Sequence, residues 1–487
     1  MTTPSPAGTL EAVADAAAVP LAVDLDGTLV LGDTLHESLL AALRRNPFLL
    51  LAMPLWLLRG KAAFKRELAR RVLPDPERLA WNRPFLDWLR GQQGRREIVL
   101  CTAADAGIAR AVADHAGLFD DVLASDGSRN LSGARKGEAL VARYGERGFD
   151  YAGNARIDLA VWRHARRAVV VNAGAGLERA AATVAAVDTV LPGPRVSPLT
   201  WARALRLHQW AKNLLVLVPL LTAHLLFEPA AVRQALLAFL AFGLCASSVY
   251  LLNDLVDLPA DRGHPRKRLR PFAAGELPLL AGLALVPLLL AAAFVLAALA
   301  LPPRFVLALA AYWLLTAAYT FALKRVEMVD VVVLAMLYTA RIIAGTFALG
   351  VALSFWLLAF SMFLFLSLAL VKRHTELGVM ARAGRDGADG RGYRVSDLPM
   401  LGAMGIGSGL GAVMVLALYV NSPTGEQLYS QPKALWLLCP LLLYWIGRVW
   451  LLTHRGRMHD DPMLFALRDR TSQAVLLAGL AVVVLAL

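Results

Sequence analysis

Hydrophobic residues follow two different patterns along the chain, and the change falls near residue 200. After it, long apolar runs alternate with short polar segments. Each run is close to the roughly 20 helical residues that cross a bilayer. We therefore predict an all-helical bundle of nine transmembrane helices, at about 212–228, 231–252, 276–300, 304–323, 329–350, 354–371, 399–420, 434–453 and 471–487.

Before residue 190 the apolar runs are shorter and end in polar residues. PLAVDLDGTLV at 20–30 and EIVLCTAAD at 97–105 are typical of buried strands in an α/β domain. The segment LPGPRVSPLT that follows holds three prolines and a glycine, which mark a linker. We predict an α/β domain at 1–190, a linker at 191–204 and the membrane domain at 205–487.

Composition supports a membrane protein. The hydrophobic content of 57% is too high for a soluble chain. The net charge of +13 comes from Lys and Arg in short runs between apolar segments. Membrane topology and anionic substrates explain such runs, so no nucleic-acid partner is predicted. The three cysteines lack CxxC or zinc-site spacing, which argues against disulfides and structural zinc.

The distribution of charge also predicts orientation. The first 20 residues contain two acids and lack the basic start and long apolar core of a secretory signal. With this end inside, the loops after even-numbered spans should be cytoplasmic and basic. We therefore predict an integral protein of a bacterial-type inner (plasma) membrane with a cytoplasmic N-terminal domain. The basic loops are 253–275, 324–328, 372–398 and 454–470.

A motif at 253–275, NDLVDLPADRGHPRKRLRPFAAG, lies between two apolar segments. In a helix, Asn253, Asp257 and Asp261 share one face, with Asp254 beside them. Mg²⁺ prefers such oxygen ligands and usually shares them with substrate phosphates. Membrane topology alone would explain the basic residues but not acids at four-residue spacing. The basic residues, suited to a diphosphate, are Arg262, Arg266, Lys267, Arg268 and Arg270.

The first predicted strand ends in Asp24 and Asp26, followed by Gly27. Carboxylates two residues apart can serve as nucleophile and general acid/base, and Gly27 permits a tight turn. The run resembles the first motif of the haloacid dehalogenase superfamily, whose members mostly hydrolyse phosphate esters with Mg²⁺. The resemblance covers about residues 18–190 and implies a Rossmann-like α/β fold in which both aspartates contact the metal.

Three later segments are similar to the other motifs of that superfamily, in the same order. The resemblance implies that Thr102 binds phosphate and that Lys136 offsets charge at the aspartyl phosphate. It also implies that Asn154 and Asp158 complete the metal site. Asn154 stands where an acid is usual, which removes one negative charge near the ion. The alternative is an inactive domain retained for packing.

Residues 36–90 have helical periodicity and resemble a helical cap inserted over such a site. Within them, PFLLLAMPLWLLRGKAAFKRELARR at 47–71 joins an apolar run to a basic stretch. About a dozen apolar residues are too few to span a membrane, so we expect a buried cap helix or an interfacial segment. An interfacial segment would bring the phosphatase site toward the membrane.

The predicted spans together with NDLVDLPADR resemble the UbiA prenyltransferase superfamily over about residues 200–487. The resemblance implies a helical bundle with a central cavity, where Mg²⁺ and a diphosphate meet an isoprenoid substrate. Most members transfer a prenyl group to an aromatic acceptor and carry a second aspartate pair after the fourth span. Here that segment holds Asp330, with Glu327 three residues before it.

Four segments are similar to a narrower branch, the polyprenyl-phosphate phosphoribosyltransferases. They are RLHQWAKN at 206–213, the acidic motif, the LK of YTFALK at 319–324, and LVKRHTEL at 370–377. The resemblance implies transfer from phosphoribosyl diphosphate to polyprenyl phosphate, with Mg²⁺ on Asn253, Asp254, Asp257 and Asp261. The implied substrate-binding residues are Lys212, Arg262, Lys267, Arg268, Lys324, Asp330, Arg341, Lys372 and Arg373.

Some of these residues have competing interpretations. Arg341 lies in a predicted span, where an unpaired charge is costly, so it binds substrate or pairs with Asp330. His459, Asp460 and Asp461 line the site or cap the last helix. Four glycines in the seventh predicted span favour close helix packing over a cofactor loop. They are Gly405, Gly407, Gly409 and Gly411.

The two resemblances together suggest consecutive reactions. A phosphoribosyl lipid retains a 5-phosphate, and the N-terminal domain resembles a phosphatase. We therefore expect one Mg²⁺ in each domain, with the second reaction removing the 5-phosphate from the product of the first. Two alternatives remain open: prenyl transfer to an aromatic or other small acceptor, and a lipid-binding or transport protein without turnover.

Overall fold

The computed structural model describes residues 19–46, 48–126, 128–172, 174–384, 386, 392–423, 428–458 and 461–487. The chain divides into two compact units that do not follow chain order. Unit 1 comprises Met1–Leu205 and Leu251–Leu285, and unit 2 comprises Arg206–Tyr250 and Val286–Leu487. The acidic motif at 253–275 therefore belongs to the same unit as the N-terminal domain.

Unit 1 is built around a six-stranded parallel sheet with the order β3-β2-β1-β4-β5-β6. This is the order of a doubly wound fold, so the predicted α/β class is confirmed. The central strands are buried on both faces, as parallel strands covered by helices are. The strands are β1 Leu21–Val23, β2 Ile98–Asp105, β3 Asp121–Ser125, β4 Asp150–Gly153, β5 Arg167–Val171 and β6 Ala186–Leu191.

The strand order reverses between β1 and β4, which pair in parallel at the centre of the sheet. At such a point the connections leave in opposite directions and open a crevice beyond the carboxyl ends of the strands. Asp24 directly follows β1, and Asn154 directly follows β4. The fold thus places the predicted N-terminal site residues at the crevice.

Helices cover both faces of the sheet. Phe85, Leu89 and Ile108 belong to the core on one face, and Leu140 and Trp162 to the core on the other. A separate helical layer is inserted between β1 and β2. The helices of unit 1 up to the linker are α1 Thr34–Arg45, α2 Leu49–Leu58, α3 Lys61–Ala69, α4 Arg83–Arg90, α5 Ala106–Ala116, α6 Ala134–Tyr144, α7 Leu159–Trp162, α8 Ala175–Ala182 and α9 Pro198–Ala204.

The inserted layer, α1 to α3, has a small core of its own. Met53 and Trp56 on α2 pack with residues of α1 and α3. The opposite side of α2 is also apolar but lies open: Leu51 is 78% exposed, Leu55 63% and Leu58 84%. The predicted cap segment is therefore a helix that is buried on one side and presents an uncovered apolar surface on the other.

Long apolar helices make up most of unit 2. Helix α11 crosses the boundary between the units and α12 belongs to unit 1, while α13 crosses it again. The helices are α10 Val218–Thr222, α11 Pro229–Val256, α12 Leu258–Arg262, α13 Leu279–Ala300, α14 Pro303–Phe321, α15 Val329–Leu349, α16 Phe355–Arg382, α17 Leu398–Val420, α18 Leu438–His454, α19 Pro462–Arg468 and α20 Arg470–Ala486.

The predicted helical membrane domain is confirmed, but the count of nine spans is not. In the described part of the chain, seven helices are long and apolar enough to cross a membrane: α11 and α13 to α18. The pair α19 and α20, bent by 77°, makes an eighth if it counts as one span. An integral membrane protein follows from these helices, while the sidedness of the loops stays a prediction.

The predicted span at 212–228 differs from a single long helix. It falls on a 3-10 segment, Leu207–Leu217, and the five-residue helix α10. Lys212 and Asn213 in this segment make polar contacts with other parts of unit 2. Polar partners inside the unit, with a proline at the start of α10, explain why an apolar run of spanning length does not form one helix.

Three of the four glycines in α17 lie close to a neighbouring helix, since a methyl group at Gly411 would lie 3.1 Å from a ring carbon of Phe363. A methyl group at Gly405 would lie 2.0 Å from a ring carbon of Trp450, and one at Gly409 would lie 2.6 Å from Ile446. A methyl group at Gly407 would meet no atom of the described residues within 4 Å. Close packing therefore explains Gly405 and Gly409 but not Gly407.

This contrast predicts different effects of alanine within one helix. We expect Gly405→Ala to lower the free energy of unfolding by about 1–3 kcal/mol, because Trp450 must move. Gly407→Ala should leave stability unchanged or raise it slightly, since alanine favours the helix. Thermal unfolding of both variants in the same detergent measures the difference. Equal losses would mean that the close approach of α17 to α18 is not what requires glycine.

Candidate functional site

A sharp turn holds the two predicted aspartates at the end of β1. Gly27 has φ +76°, a conformation that favours glycine, and its amide donates to the carbonyl of Gly32 over 3.0 Å. The Asp26 carboxylate accepts a hydrogen bond from the amide of Thr34, the first residue of α1, over 2.7 Å. The turn and the start of α1 thus fix where Asp26 points.

Asp24 belongs to a buried polar network. The Lys136 ammonium on α6 donates to Asp24 Oδ1 over 2.8 Å and to the Tyr151 hydroxyl over 2.8 Å. Tyr151 in turn donates to Asp158 Oδ1 over 3.1 Å. The other Asp158 oxygen accepts from the amides of Asn154 and Ala155. The fold therefore connects Asp24, Lys136 and Asp158, as the sequence motifs predict.

Burial changes the acidity of both aspartates. Loss of solvent raises the pKa of Asp24, against the opposing effect of the Lys136 cation. Burial, followed by the nearby negative charge of Asp33, raises the pKa of Asp26 to about 7. Each carboxyl group is therefore a stronger base than an exposed aspartate, which suits proton transfer or nucleophilic attack near neutral pH.

The two remaining N-terminal candidates are also close to this turn. Thr102 is fully buried on β2, and its hydroxyl accepts a hydrogen bond from the amide of Ala104. Asn154 Oδ1 accepts from the hydroxyl of Thr28 over 3.3 Å. A methyl group at Gly27 would lie 2.0 Å from Asn154 Nδ2, so a side chain at 27 would displace the amide.

Sequence reasoning missed two residues of this site. Tyr151 joins Lys136 to Asp158, and its only signal is its place on the strand that leads to Asn154. Lys65, from α3, donates to the carbonyl of Ala103 and to Asn130 Oδ1. The spacing of basic residues at 59–71 does not distinguish Lys65, because only the packing of α3 brings it beside β2.

The acidic motif continues helical spacing across the break between α11 and α12. The Asp257 amide donates to the Asn253 carbonyl and the Asp261 amide to the Asp257 carbonyl, both over 2.9 Å. Asn253, Asp257 and Asp261 are therefore one turn apart from each other, as predicted. Arg270 Nη1 bridges two carboxylates, at 3.0 Å from Asp254 Oδ1 and 2.5 Å from Asp261 Oδ2.

The chemistry of this donor set suits a hard cation. Asp254 and Asp261 already converge on one positive charge, and the buried Asn253 Oδ1 accepts no hydrogen bond from any residue that the structure describes. Burial raises the pKa of Asp261, against the effect of Arg270. Among the described residues, no three acidic, histidine or cysteine side chains form a ready metal cage. Mg²⁺ needs no such cage, since it takes one or two carboxylates plus substrate phosphates and water.

Arg262, a predicted phosphate ligand, is occupied by protein groups. Its guanidinium donates to the carbonyls of Ala273 and Arg78 and to Glu37 Oε1, at 3.1, 2.8 and 2.7 Å. Its side chain is 8% exposed. Lys267 and Arg268, by contrast, are exposed on the same loop. Of the three loop cations that were predicted to bind substrate, Lys267 and Arg268 are thus exposed to solvent and Arg262 is held inside unit 1.

Two predicted cations in unit 2 lie in a polar and aromatic cluster. Lys212 Nζ is 2.5 Å from Asp461 and 5.8 Å from the ring centre of Tyr338. Arg341, 4% exposed, donates to Asn213 Oδ1, to the Tyr312 hydroxyl and to a carbonyl of its own helix. The guanidinium also lies over the ring of Tyr338 at 5.6 Å. We call this group the Lys212–Arg341 cluster; it consists of Lys212, Asn213, Tyr312, Tyr338, Arg341 and Asp461.

The proposed pairing of Arg341 with Asp330 is wrong. Asp330 is fully buried, lies 2.5 Å from Arg373 Nη2 and accepts a hydrogen bond from the Tyr393 hydroxyl. Arg373 also pairs with Glu376. Asp330 and Arg341 are 11 residues apart on α15, about 16 Å along the helix axis, so they do not meet and Arg341 takes amide and phenol partners. Lys324 and Lys372 are half-buried.

The last polar segment begins with His459, Asp460 and Asp461, and the structure describes it from Asp461 onwards. Asp461 accepts from the amides of Met463 and Leu464 and so caps α19. It also pairs with Lys212. The helix that it caps is the last but one, because α20 follows and is capped by Asp469, so the expected cap of the last helix is a different residue. The role of Asp461 in lining the site stays a prediction. His459 and Asp460 lie outside the described residues.

Sequence reasoning also missed several partners in unit 2. Asn213, Tyr312 and Tyr338 surround Arg341, yet only Asn213 lies within a quoted motif. Tyr338 lies three residues before Arg341 on the same helix, so helical spacing alone could have identified it as a neighbour of Arg341. Tyr312 comes from α14 and could be found only from the packing of helices.

Comparison with known proteins places the membrane part of the chain. A model described as the UbiA prenyltransferase family matches residues 216–468, slightly more than half of the 487 residues. An uncharacterized protein of Sinorhizobium fredii called y4nM is 39% identical over 458 residues, 93% of this chain and 88% of that protein. The decaprenyl-phosphate phosphoribosyltransferase of Mycolicibacterium smegmatis is 38% identical over 186 residues, 37% of this chain and 58% of that protein.

A solved structure of an Archaeoglobus fulgidus UbiA homolog bound to GPP and Mg²⁺ is also similar. It has a TM-score of 0.45 and 17% identity, and covers 58% of this chain and 99% of that chain.

The Lys136–Asp24 pair leads to a stability prediction. Lys136 is 3% exposed and Asp24 13%, so Lys136→Met leaves a carboxylate buried without its cation. We expect the free energy of unfolding to fall by about 3–5 kcal/mol. Arg143→Met removes exposed pairs with Glu97 and Asp121 and should cost about 1 kcal/mol or less. Hydrogen exchange of the β1 and β4 amides measures both.

A second variant separates lost charge balance from lost packing. Adding Asp24→Asn to Lys136→Met removes the stranded carboxylate and should restore part of the lost protection. If the double variant is as unprotected as Lys136→Met alone, the lysine stabilises the sheet through packing and not through its charge.

Proposed function

The chain belongs to the UbiA prenyltransferase family, and on that basis we propose that it is a Mg²⁺-dependent polyprenyl-phosphate 5-phosphoribosyltransferase. The products would be polyprenyl-phosphoryl-5-phosphoribose and diphosphate. The observation that carries the proposal is the acidic ladder from Asn253 to Asp261, with two carboxylates converging on a cation. Identity to relatives named decaprenyl-phosphate phosphoribosyltransferase favours this donor and acceptor.

The proposed reaction is a substitution at C1 of ribose. A lipid phosphate oxygen forms the new bond to C1, and the bond from C1 to the diphosphate oxygen breaks, with its electron pair leaving on diphosphate. Asp254, Asp257 and Asp261 would hold Mg²⁺. When bound, the ion supplies positive charge against the charge that develops on the leaving group.

Basic residues would bind the phosphates of both substrates. Lys267 and Arg268 are exposed on the acidic loop and are available to a soluble phosphate. Arg341 is buried and Lys212 is 11% exposed, and both lie beside Tyr338, where little water would compete with a phosphate oxygen. Arg262, held by Glu37 and two carbonyls, is not assigned to substrate.

For the N-terminal domain we propose a phosphatase of the haloacid dehalogenase type. An Asp24 oxygen would attack phosphorus, the bond from phosphorus to the ribose 5-oxygen would break, and Asp26 would give that oxygen a proton. Water would then release inorganic phosphate from Asp24. The Asp24, Lys136, Tyr151 and Asp158 network supports this proposal, since it supplies a positioned carboxylate beside a cation. Asp24 and Asp158, with Asn154 and Asp26, would hold a second Mg²⁺.

The second reaction would act on the lipid product of the first. The apolar side of α2 and its exposed basic neighbours Arg59, Lys61 and Arg66 suit an anionic membrane surface. Residues 44–71 hold eight Lys or Arg and one acid. We propose that this surface contacts lipid and that the N-terminal domain and the basic loops face the cytoplasm.

The first test follows label from phosphoribosyl diphosphate into lipid. Purified protein in detergent, with Mg²⁺ and polyprenyl phosphate, should move the label into the organic phase. Chelation of Mg²⁺ should abolish this, and Asp257→Asn should slow it on the order of 100-fold. Asp24→Asn should accumulate the 5-phosphorylated lipid, because the second reaction lacks its nucleophile.

The outcomes separate the functions. Lipid that stays unlabelled, while labelled prenyl diphosphate is consumed with an aromatic acceptor, would replace phosphoribosyl transfer by prenyl transfer. No turnover of either donor, together with tolerance of Asp257→Asn, would leave a lipid-binding or transport role. A phosphatase that prefers soluble nucleotides over the phosphoribosyl lipid would separate the two reactions.

The surface of α2 gives a further prediction. Leu55→Gln combined with Leu58→Gln should slow dephosphorylation of the lipid substrate in proteoliposomes at least about tenfold, because two leucines no longer enter the interface. Hydrolysis of soluble p-nitrophenyl phosphate should be unchanged. Val196→Gln, at an apolar residue that is 52% exposed elsewhere in unit 1, is the matched control. Equal loss on both substrates would indicate damage to the cap and not to membrane contact.

A further inference from the structure

A buried ion pair in unit 1 joins the acidic loop to the N-terminal domain. Arg262 Nη2 lies 2.7 Å from Glu37 Oε1, and the two side chains are 8% and 7% exposed. The guanidinium also reaches the carbonyls of Arg78 and Ala273. All three nitrogen atoms of the guanidinium therefore donate a hydrogen bond, two to the N-terminal domain and one to the acidic loop itself.

On the N-terminal side, the pair is attached to the turn that positions Asp26. Glu37 lies in the first turn of α1, whose first amide, on Thr34, binds Asp26. The neighbouring Leu31 amide donates to the carbonyl of Ala80 over 2.7 Å, which ties the turn to the segment that contains Arg78. Arg262 therefore contacts both segments that hold the turn, the start of α1 and the segment that contains Arg78.

On the other side, the pair is attached to the acidic ladder. Arg262 directly follows Asp261, the last carboxylate of the ladder. Two further contacts hold the end of the loop, one to the N-terminal domain and one to the linker. A methyl group at Gly275 would lie 2.7 Å from Leu31 Cβ, and Glu276 pairs with Arg203 over 2.8 Å. The loop is therefore held at both ends.

Buried ion pairs are costly to form and hard to break, because removal of one partner leaves a charge without water or counter-ion. Such a pair adds little net stability but fixes geometry. Arg270 constrains the ladder from within the loop, where it joins Asp254 to Asp261, but it does not fix the position of the loop relative to the N-terminal domain. The Glu37–Arg262 pair supplies that constraint from a separate part of the chain.

We propose that Glu37 and Arg262 are positioning residues for the transferase: the N-terminal domain holds the Mg²⁺-binding loop in its working geometry. This inference rests on the proposed function for its catalytic consequence and on geometry alone for the contact. It predicts that a residue more than 200 positions before the acidic ladder, outside the family match at 216–468, affects the transferase reaction.

Hydrogen exchange of the full-length protein in detergent tests the contact without any reaction. Glu37→Ala and Arg262→Met should each raise exchange in peptides from both 28–37 and 257–276. The exchanged pair, Glu37→Arg with Arg262→Glu, should restore protection, because the opposite charges meet again. Asp87→Ala, which removes an exposed pair with Arg90 in the same domain, should leave both peptides unchanged.

The catalytic readout is the Mg²⁺ concentration that gives half-maximal transfer. Loss of either partner should raise it about 10- to 100-fold, the effect typical of residues that orient metal ligands. The exchanged pair should recover most of the loss, whereas Asp87→Ala should not change it. A general loss of folded protein would lower the rate at every Mg²⁺ concentration without shifting the half-maximal value.

The outcomes distinguish this inference from the proposed function. If exchange in 257–276 is unaffected by Glu37→Ala, or the exchanged pair restores neither readout, the positioning role is overturned. If wild-type protein transfers no phosphoribosyl group, the proposed function fails, yet the exchange data still decide the contact. Transfer of labelled prenyl diphosphate then serves as the reporter of the same loop.

Discussion

Charges that are withdrawn from water must be neutralised at contact distance, and this constraint organises both units. Asp24 meets Lys136, Glu37 meets Arg262, and Asp330 meets Arg373, each between elements far apart in the chain. Pairs of this kind contribute little net stability, because desolvation opposes the attraction. They do decide which carboxylates and cations are already engaged and which remain available to phosphates and metal.

The division of the chain into units shows that the acidic loop and the N-terminal domain belong together in the structure. The acidic ladder lies in the polar connection between two apolar helices, yet it packs with the N-terminal domain and not only with the helices that lead to it. An N-terminal domain could in principle be a passenger on a linker. Here the first helix of that domain contacts the acidic loop, so the domain has a structural consequence for the loop.

Much of the fold was predictable from the sequence, and the exceptions share a cause. Short apolar runs that end in polar residues indicated the α/β domain. Runs near 20 residues predicted nine spans, whereas the described residues contain seven such helices, or eight with the bent pair α19 and α20. The segment at 212–228 has the same hydrophobicity but forms short helical pieces. Hydrophobicity measures transfer of a segment into an apolar medium, and it does not register that Lys212 and Asn213 find polar partners within the unit.

The site shows the same division. Local spacing alone determined that Asn253, Asp257 and Asp261 stand on one helical face and that Asp24 and Asp26 leave one strand together, because helix and strand periods are set by the backbone. Which cation meets which carboxylate was decided only by tertiary structure: Arg373 and not Arg341 for Asp330, and Glu37 and not a phosphate for Arg262. Coulomb attraction falls with distance in space and is indifferent to distance along the chain, so such partners appear only when the chain has folded.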